Sequence, residues 1–372
     1  MGKTFQLSCA FTLMGVLTGC SGGGDDGAAS TAGQANQAGS TTSGGAAAGG
    51  SSASGGVGAN GGSNAGAGKS SGGSAGAGVP GQPGEVGGCK MFPATDAWNL
   101  DISGVPVDAA WTKKVQDLVG AAKIHPDYGV DGQDLYGIPL NVVAANQAPA
   151  PVSFDDYPEE SDPGPYPFPG PADVLIEGNS PDACDGDCHL LVIQQGACML
   201  YEGYACEYHQ DGWHCANGAK WDLTKVGYGQ RPVGWTSADA AGLAIAPGLL
   251  RFEEVRAGEV THALRFTLDC TTNQYVNPAT HQAVPRGCDP QKGPPMGTRV
   301  RLKADYDMSK LSASAQVVLR GMQKYGLILA DNGSNFYFQG EANAGWTDAD
   351  IEPLKTVPAS AFEVVQMPPL MP

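Results

Sequence analysis

Three kinds of side chain in this sequence could do chemistry: histidines near carboxylates, an arginine inside an apolar run, and aromatics on stiff loops. The stretch 187–204 reads DCHLLVIQQGACMLYEGY. If Gln195-Gly196 forms a two-residue turn, Ile193 opposes Cys198, Leu191 opposes Leu200 and His189 opposes Glu202. Directly opposed Cβ atoms lie about 4.5–5.5 Å apart, close enough for a carboxylate to orient an imidazole and raise its pKa. His189 is therefore expected as a general base, Glu202 as its orienter, and His262 as a second acid/base group. In the run 259–268, Val260, His262, Leu264, Phe266 and Leu268 share one face and Arg265 stands on the other. Two histidines and a glutamate would also suit zinc. Nothing in the sequence brings His262 to the pair, however, and no cysteines are spaced as a zinc knuckle, so no metal is expected.

The aromatic candidates are Tyr166, Phe168 and Trp235. In SDPGPYPFP, 161–169, four prolines fix an extended, polyproline-like loop. On it Tyr166 and Phe168 would be held stiffly enough to stack on a sugar ring. With Trp235 and Arg265 they make up the expected substrate-binding set. Asp331, in an Asp-Asn-Gly turn, reads as structural. The chain has no G-x-S-x-G, P-loop, H-E-x-x-H or dinucleotide fingerprint, so neither a serine hydrolase nor a cofactor is indicated.

The elements that must position these residues are short. A helix is expected over about 109–122, with Trp111, Val115, Leu118, Val119 and Ala122 on one face. A second is expected over about 310–325, and short ones at 347–350 and after Thr236 or Ser237, which can cap. Strands are expected at 138–144, 151–154, 172–177, 298–306 and 362–365. Two hairpins are expected as well, 249–256 with 259–268 across Ala257-Gly258, and 327–330 with 335–339 across Asp331 to Ser334. Strand outweighs helix in many pieces. The fold class is α+β and β-rich, with mixed or antiparallel sheets and a few packing helices.

Residues 1–20 read as a lipoprotein signal peptide. Lys3 precedes the apolar run 5–17, and Leu17-Thr18-Gly19-Cys20 matches the bacterial lipobox, with Cys20 the lipidated residue. Residues 21–88 are almost wholly Gly, Ala, Ser, Asn and Thr. They cannot bury enough apolar surface to offset chain entropy, so they are expected as a disordered tether averaging roughly 45 Å end to end. Residues 89–372 remain as a single folded domain.

A net charge of −17 argues against nucleic acid and anionic lipid as partners. The membrane would be reached through the lipid anchor only. Ten cysteines, less Cys9 in the leader and Cys20 under its lipid, leave eight. An even number in an exported chain reads as disulfides. Cys206–Cys215 and Cys270–Cys288 would each close a local loop. Cys184 and Cys188 could bridge each other, or either could reach Cys198 or Cys89.

The runs SDPGPYPFP, GWTSADAAG (234–242), PGLLRFEEV (247–255), HALRFT (262–267), PPMGTRVRLK (294–303) and YGLILADNGS (325–334) resemble a family of secreted bacterial and fungal proteins. The resemblance covers nearly all of 89–372. It implies one folded unit of common design and carries over no catalytic residue. The family's pattern has a basic residue where Cys188 stands, which points to a private disulfide here. Two functions are expected from these features. One is an envelope-tethered hydrolase or lyase acting on polysaccharide or cell-envelope glycan by acid/base side chains. The other is a non-catalytic glycan-binding or envelope-associated domain.

Overall fold

The computed structural model describes residues 84–131 and 134–372, all within one compact unit. The expected signal peptide, Cys20 and nearly all of the tether lie outside the described residues. Paired backbone begins just ahead of Cys89, where Glu85–Val86 runs antiparallel to Cys89–Lys90.

Thirteen strands build the three larger sheets. In chain order they are β1 (His125–Asp127), β2 (Leu140–Val143), β3 (Val152–Phe154), β4 (Leu190–Gln194), β5 (Met199–Tyr204), β6 (Glu207–His209), β7 (Gly212–Cys215), β8 (Asn217–Asp222), β9 (Leu264–Leu268), β10 (Arg299–Leu302), β11 (Leu327–Asn332), β12 (Tyr337–Gln339) and β13 (Phe362–Val364). The largest sheet has the order β13-β10-β11-β9-β12-β1, the second β8-β5-β4-β2, and the third β6-β7-β3. Parallel and antiparallel pairs occur in all three. The fold is therefore β-rich α+β with mixed sheets, as expected.

The second sheet separates two cores. Leu191, Ile193, Leu200 and Trp221 face the large core, which also holds the apolar side of the six-stranded sheet. Leu190 and Val192 face a smaller core with Tyr166, Phe168, Trp213 and the Cys206–Cys215 bridge. Burial on both faces is why β4 reads as an unbroken apolar run rather than an alternation.

The helices follow local signals. In α1 (Ala109–Val119), Asp108 accepts from the N–H groups of Ala110 and Trp111, and Gly120 at φ 56° ends the helix. In α3 (Ala313–Lys324), Ser312 accepts from the N–H of Ala315. Elsewhere the expectations fail. Leu249 to Arg256 is not a strand. Its C-terminal part forms α2 (Phe252–Ala257), with Glu253 and Glu254 in the first turn and left-handed Gly258 as its end, so Ala257-Gly258 closes a helix rather than a hairpin. No helix forms after Thr236, because the hydroxyls of Thr236 and Ser237 turn inward to the Asp239 and Leu243 carbonyls. The Asp331–Ser334 hairpin does not close either. Strand β9 inserts between β11 and β12, and the turn donates to it from Gly333 to Leu268 and from Phe336 to Thr267. Segment 172–177 is irregular and held by Asn141, which donates to the Leu175 carbonyl and accepts from the Leu175 N–H.

All eight cysteines pair: Cys89–Cys198, Cys184–Cys188, Cys206–Cys215 and Cys270–Cys288. Four disulfides mark an extracytoplasmic protein. Among the described residues no helix is long and apolar enough to cross a membrane.

Candidate active site

The expected His189–Glu202 pair does not form. In the β4–β5 ladder Leu191, not His189, is the partner of Glu202. The turn is four residues long, 195–198, with Gly196 and Cys198 at positive φ and Cys198 tied to Cys89. The longer turn shifts the register by two residues, so the face is kept and the partner is lost. His189 instead lies beside Tyr204, ring centroids 5.6 Å apart. Glu202 is fully buried and serves the backbone. It accepts from Trp221 Nε1 (3.0 Å), from the Ile245 N–H (2.9 Å) and from the Ala246 N–H (2.9 Å), while burial pushes its carboxyl up to about 7.

The carboxylate that meets His189 is Glu177, at 2.6 Å from Nδ1. The irregular segment held by Asn141 delivers it. The Glu177 N–H donates to the His189 carbonyl, and the His189 N–H donates back to Glu177 Oε2. The other ring nitrogen faces the Ala238 carbonyl at 3.2 Å. Both nitrogens thus face acceptors, the arrangement of a doubly protonated imidazolium. Burial alone would lower the His189 pKa, but the Glu177 charge and hydrogen bond outweigh it and lift it to about 9. Burial would likewise raise Glu177, and the His189 charge brings it below the usual range.

Arg265 is the second buried cation. It donates from Nε and Nη2 to Asp239, at 3.1 and 2.7 Å, and from Nη2 to Asp331 at 3.3 Å. Asp331 is pushed up by burial and by the neighbouring Asp239 charge, against the pull of Arg265 and His189. It therefore lies within electrostatic reach of both cations. His189 and Arg265 are each only 2% exposed, whereas the side chains of Glu177 and Asp331 remain 28% and 23% exposed. Solvent meets the carboxyls and not the cations.

Sheet register extends this polar group. Asp331 pairs with Thr267, Thr267 with Tyr337, and Tyr337 with His125. Two residues along the strands, Arg265, Gln339 and Asp127 form the next row on the same face. The opposite face carries Leu264, Phe266, Leu268 and Phe338. On β9 and β12 one side is thus apolar core and the other a polar platform, in which Arg265, Thr267 and Gln339 are buried while His125, Tyr337, Asp331 and Asp127 reach solvent. On the platform His125 stacks on Tyr337 at 4.1 Å, and Gln339 Nε2 donates to Asp127 at 3.3 Å. Asp127 is exposed, but its packed side desolvates it, and together with the nearby Glu177 charge this raises its pKa.

The other expected site residues lie elsewhere. His262 is buried, with Nε2 3.0 Å from Glu254 and Nδ1 2.7 Å from the Ala263 carbonyl. Glu254 also takes Arg251. Burial would raise its carboxyl, but these two partners hold it at about 2, and the three side chains pack as one buried, hydrogen-bonded knot. Tyr166 and Phe168 are not presented to a ligand. They are 0% and 1% exposed, edge-on to each other at 5.2 Å, and seal the smaller core. Trp235 is half-buried under the Arg231 guanidinium, 5.3 Å from its ring centre. Of the expected set, only His189 and Arg265 belong to the cluster, and both act from behind. Glu177, Asp239 and Asp127, the other members of the cluster, were not in the expected set, and Asp331, expected in a turn, lies near the end of β11 beside Arg265.

Among the described residues no group of three or more histidine, cysteine, aspartate or glutamate side chains has the geometry to hold a metal ion. No family model, curated protein or solved structure matches the chain.

Proposed function

We propose that this chain is an exported, lipid-anchored enzyme that cleaves glycans by acid/base chemistry, with Asp331 as the acid and Glu177 as the base or nucleophile. The observation that carries the reading is the opposite tuning of two partly exposed carboxyls around one buried pair of cations. His189 holds Glu177 ionised. Burial and the Asp239 charge push Asp331 toward its protonated form, against the pull of Arg265. Two carboxyls pushed apart in this way are what glycosidic cleavage needs, one to protonate the leaving oxygen and one to direct attack at the anomeric carbon. His189 and Arg265 are positioning residues in this scheme, because neither reaches solvent. The His125–Tyr337 stack offers the flat surface that Tyr166 and Phe168 do not. The lipobox at Cys20, the disulfides and the likeness to a secreted family support placement in the bacterial envelope.

The test is a screen of polysaccharides and oligosaccharides with the full chain, reading new reducing ends. Glu177→Gln and Asp331→Asn should each lower turnover by about 10²–10⁴-fold while near-ultraviolet circular dichroism stays unchanged. Undiminished turnover in both variants would sink the assignment.

A second reading, a non-catalytic binding domain, is favoured by a recess of about 200 Å³ lined by Tyr228, Val233, Tyr275, Pro368, Pro369 and Met371, none of them in the acid cluster. Glycan binding that survives both substitutions, without cleavage, would select it.

A further inference from the structure

Resting on the glycan reading above, we infer that the recess beside the C-terminal tail is a separate binding site for one neutral sugar ring of an uncharged oligosaccharide. The recess draws on three stretches far apart in the chain, 228–233, 275–280 and 368–371. Backbone hydrogen bonds fix these stretches. The Tyr275 N–H donates to the Met371 carbonyl at 3.2 Å, and the Met371 N–H donates back at 2.8 Å. The Gly234 N–H donates to the Thr280 carbonyl at 2.7 Å. The walls are therefore in place before a ligand arrives, which lowers the ordering cost of binding.

Tyr275 is the residue that points to a ligand. It is only 4% exposed, yet among the described residues its hydroxyl has no hydrogen-bond partner. The hydroxyl is not sealed in the core either, so it opens to the recess. A tyrosine buried to this degree ordinarily has a partner for its O–H. The half-buried Asn277, also on the lining, has a side-chain amide that is likewise unpaired among the described residues.

The lining narrows the occupant. No charged side chain belongs to it. A carboxylate or an ammonium would lose its water there without gaining a counter-charge. The net charge of −17 also opposes a polyanion at longer range. The free phenol and amide each donate and accept, as a sugar hydroxyl does. Tyr228, 49% exposed, offers a flat ring to the C–H face of a pyranose, and Val233, Pro368, Pro369 and Met371 supply apolar walls. A proline-rich peptide would present mainly carbonyl acceptors and needs a long groove. The volume of about 200 Å³ falls below the ~300–1,000 Å³ of most small-molecule sites, which suits one ring and not a chain.

The experiment uses the full chain and reads binding by ligand-observed NMR and cleavage by new reducing ends. The probes are oligomers of equal length made of glucose, xylose, N-acetylglucosamine, glucosamine and galacturonate, with oligoproline beside them. At least one neutral oligomer should bind about tenfold or more tightly than either charged one. Tyr275→Phe, which removes only the hydroxyl, should weaken it about three- to tenfold. Tyr228→Ala should weaken it about tenfold, and this surface substitution decides the matter if Tyr275→Phe does not fold. Weakening in the folded variants, with no cleavage by wild type, leaves this inference standing and removes the enzymatic reading. Cleavage of an oligomer whose binding neither substitution weakens leaves the enzymatic reading standing and overturns the inference. It is also overturned by tighter binding of a charged oligomer or of oligoproline, by wild-type affinity in either folded variant, or by no neutral oligomer binding at millimolar concentration.

Discussion

At the scale of the residue, the decisive feature is how His189 and Glu177 hold each other's charge. The folded His189 pKa of about 9 lies above its ordinary 6.5. Between those values the folded chain binds more protons than the unfolded one, so stability falls as pH rises. The contribution is complete below pH 6.5 and lost through pH 9. Glu177 is shifted the other way, so its share is present above its ordinary 4.5 and lost as pH falls through its lower folded value. Wild type should therefore exceed His189→Gln by on the order of 3 kcal/mol near pH 6, with the gap closing toward pH 9 in urea titrations. A gap that does not change with pH would mean that His189 packs as a neutral ring.

At the scale of the element, the β4–β5 hairpin does most of the positioning. Its four-residue turn sets the register that gives His189 to Tyr204 and leaves Glu202 to the Ile245 and Ala246 N–H groups. Gly203 near the end of β5 lies directly under the Cys206–Cys215 bridge. A Cβ there would collide with Cys206 Sγ and come within 3.0 Å of Cys215 Sγ. Gly203→Ala should destabilise the domain by about 1–3 kcal/mol and raise the free thiol content on refolding. A variant with wild-type stability and no free thiol would show that the strand can shift to make room. Much of the element pattern was legible. α1 and α3 follow from helical periodicity, β10 from alternation and β4 from its apolar run, since those signals are local, although α3 starts at a Ser312 cap rather than at Asp307 to Ser309. The Ala257-Gly258 and Asp331–Ser334 turns were misread, because a left-handed glycine serves a helix end as well as a hairpin and strand insertion leaves no local trace.

At the scale of the whole molecule, Cys89–Cys198 ties the start of the fold to the β4–β5 turn across a sequence separation of 109. A loop of that length carries a large closure entropy in the unfolded chain. The double variant Cys89→Ser/Cys198→Ser should lose about 4–5 kcal/mol in non-reducing urea unfolding. It should lose more than Cys184→Ser/Cys188→Ser, whose bridge spans only 4 residues. Equal losses would remove the entropic explanation. The polar platform is also a property of the whole molecule. It draws on β1, β9, β11, β12 and two irregular segments far apart in the chain.

The sequence by itself determined the composition-borne features: a strand-rich class, an even set of cysteines, an acidic body and the alternation that puts Arg265 opposite Leu264 and Phe266. Each is carried by residue types or by spacing within one element. Only the tertiary structure decided which acids meet His189 and Arg265. Glu177 and Asp239 arrive on segments without period or cap, and Asp331 and Asp127 arrive by pairing between strands distant in sequence. It also decided that Tyr166 and Phe168 close a core, because a stiff aromatic loop reads the same from sequence whether it faces solvent or the underside of a sheet.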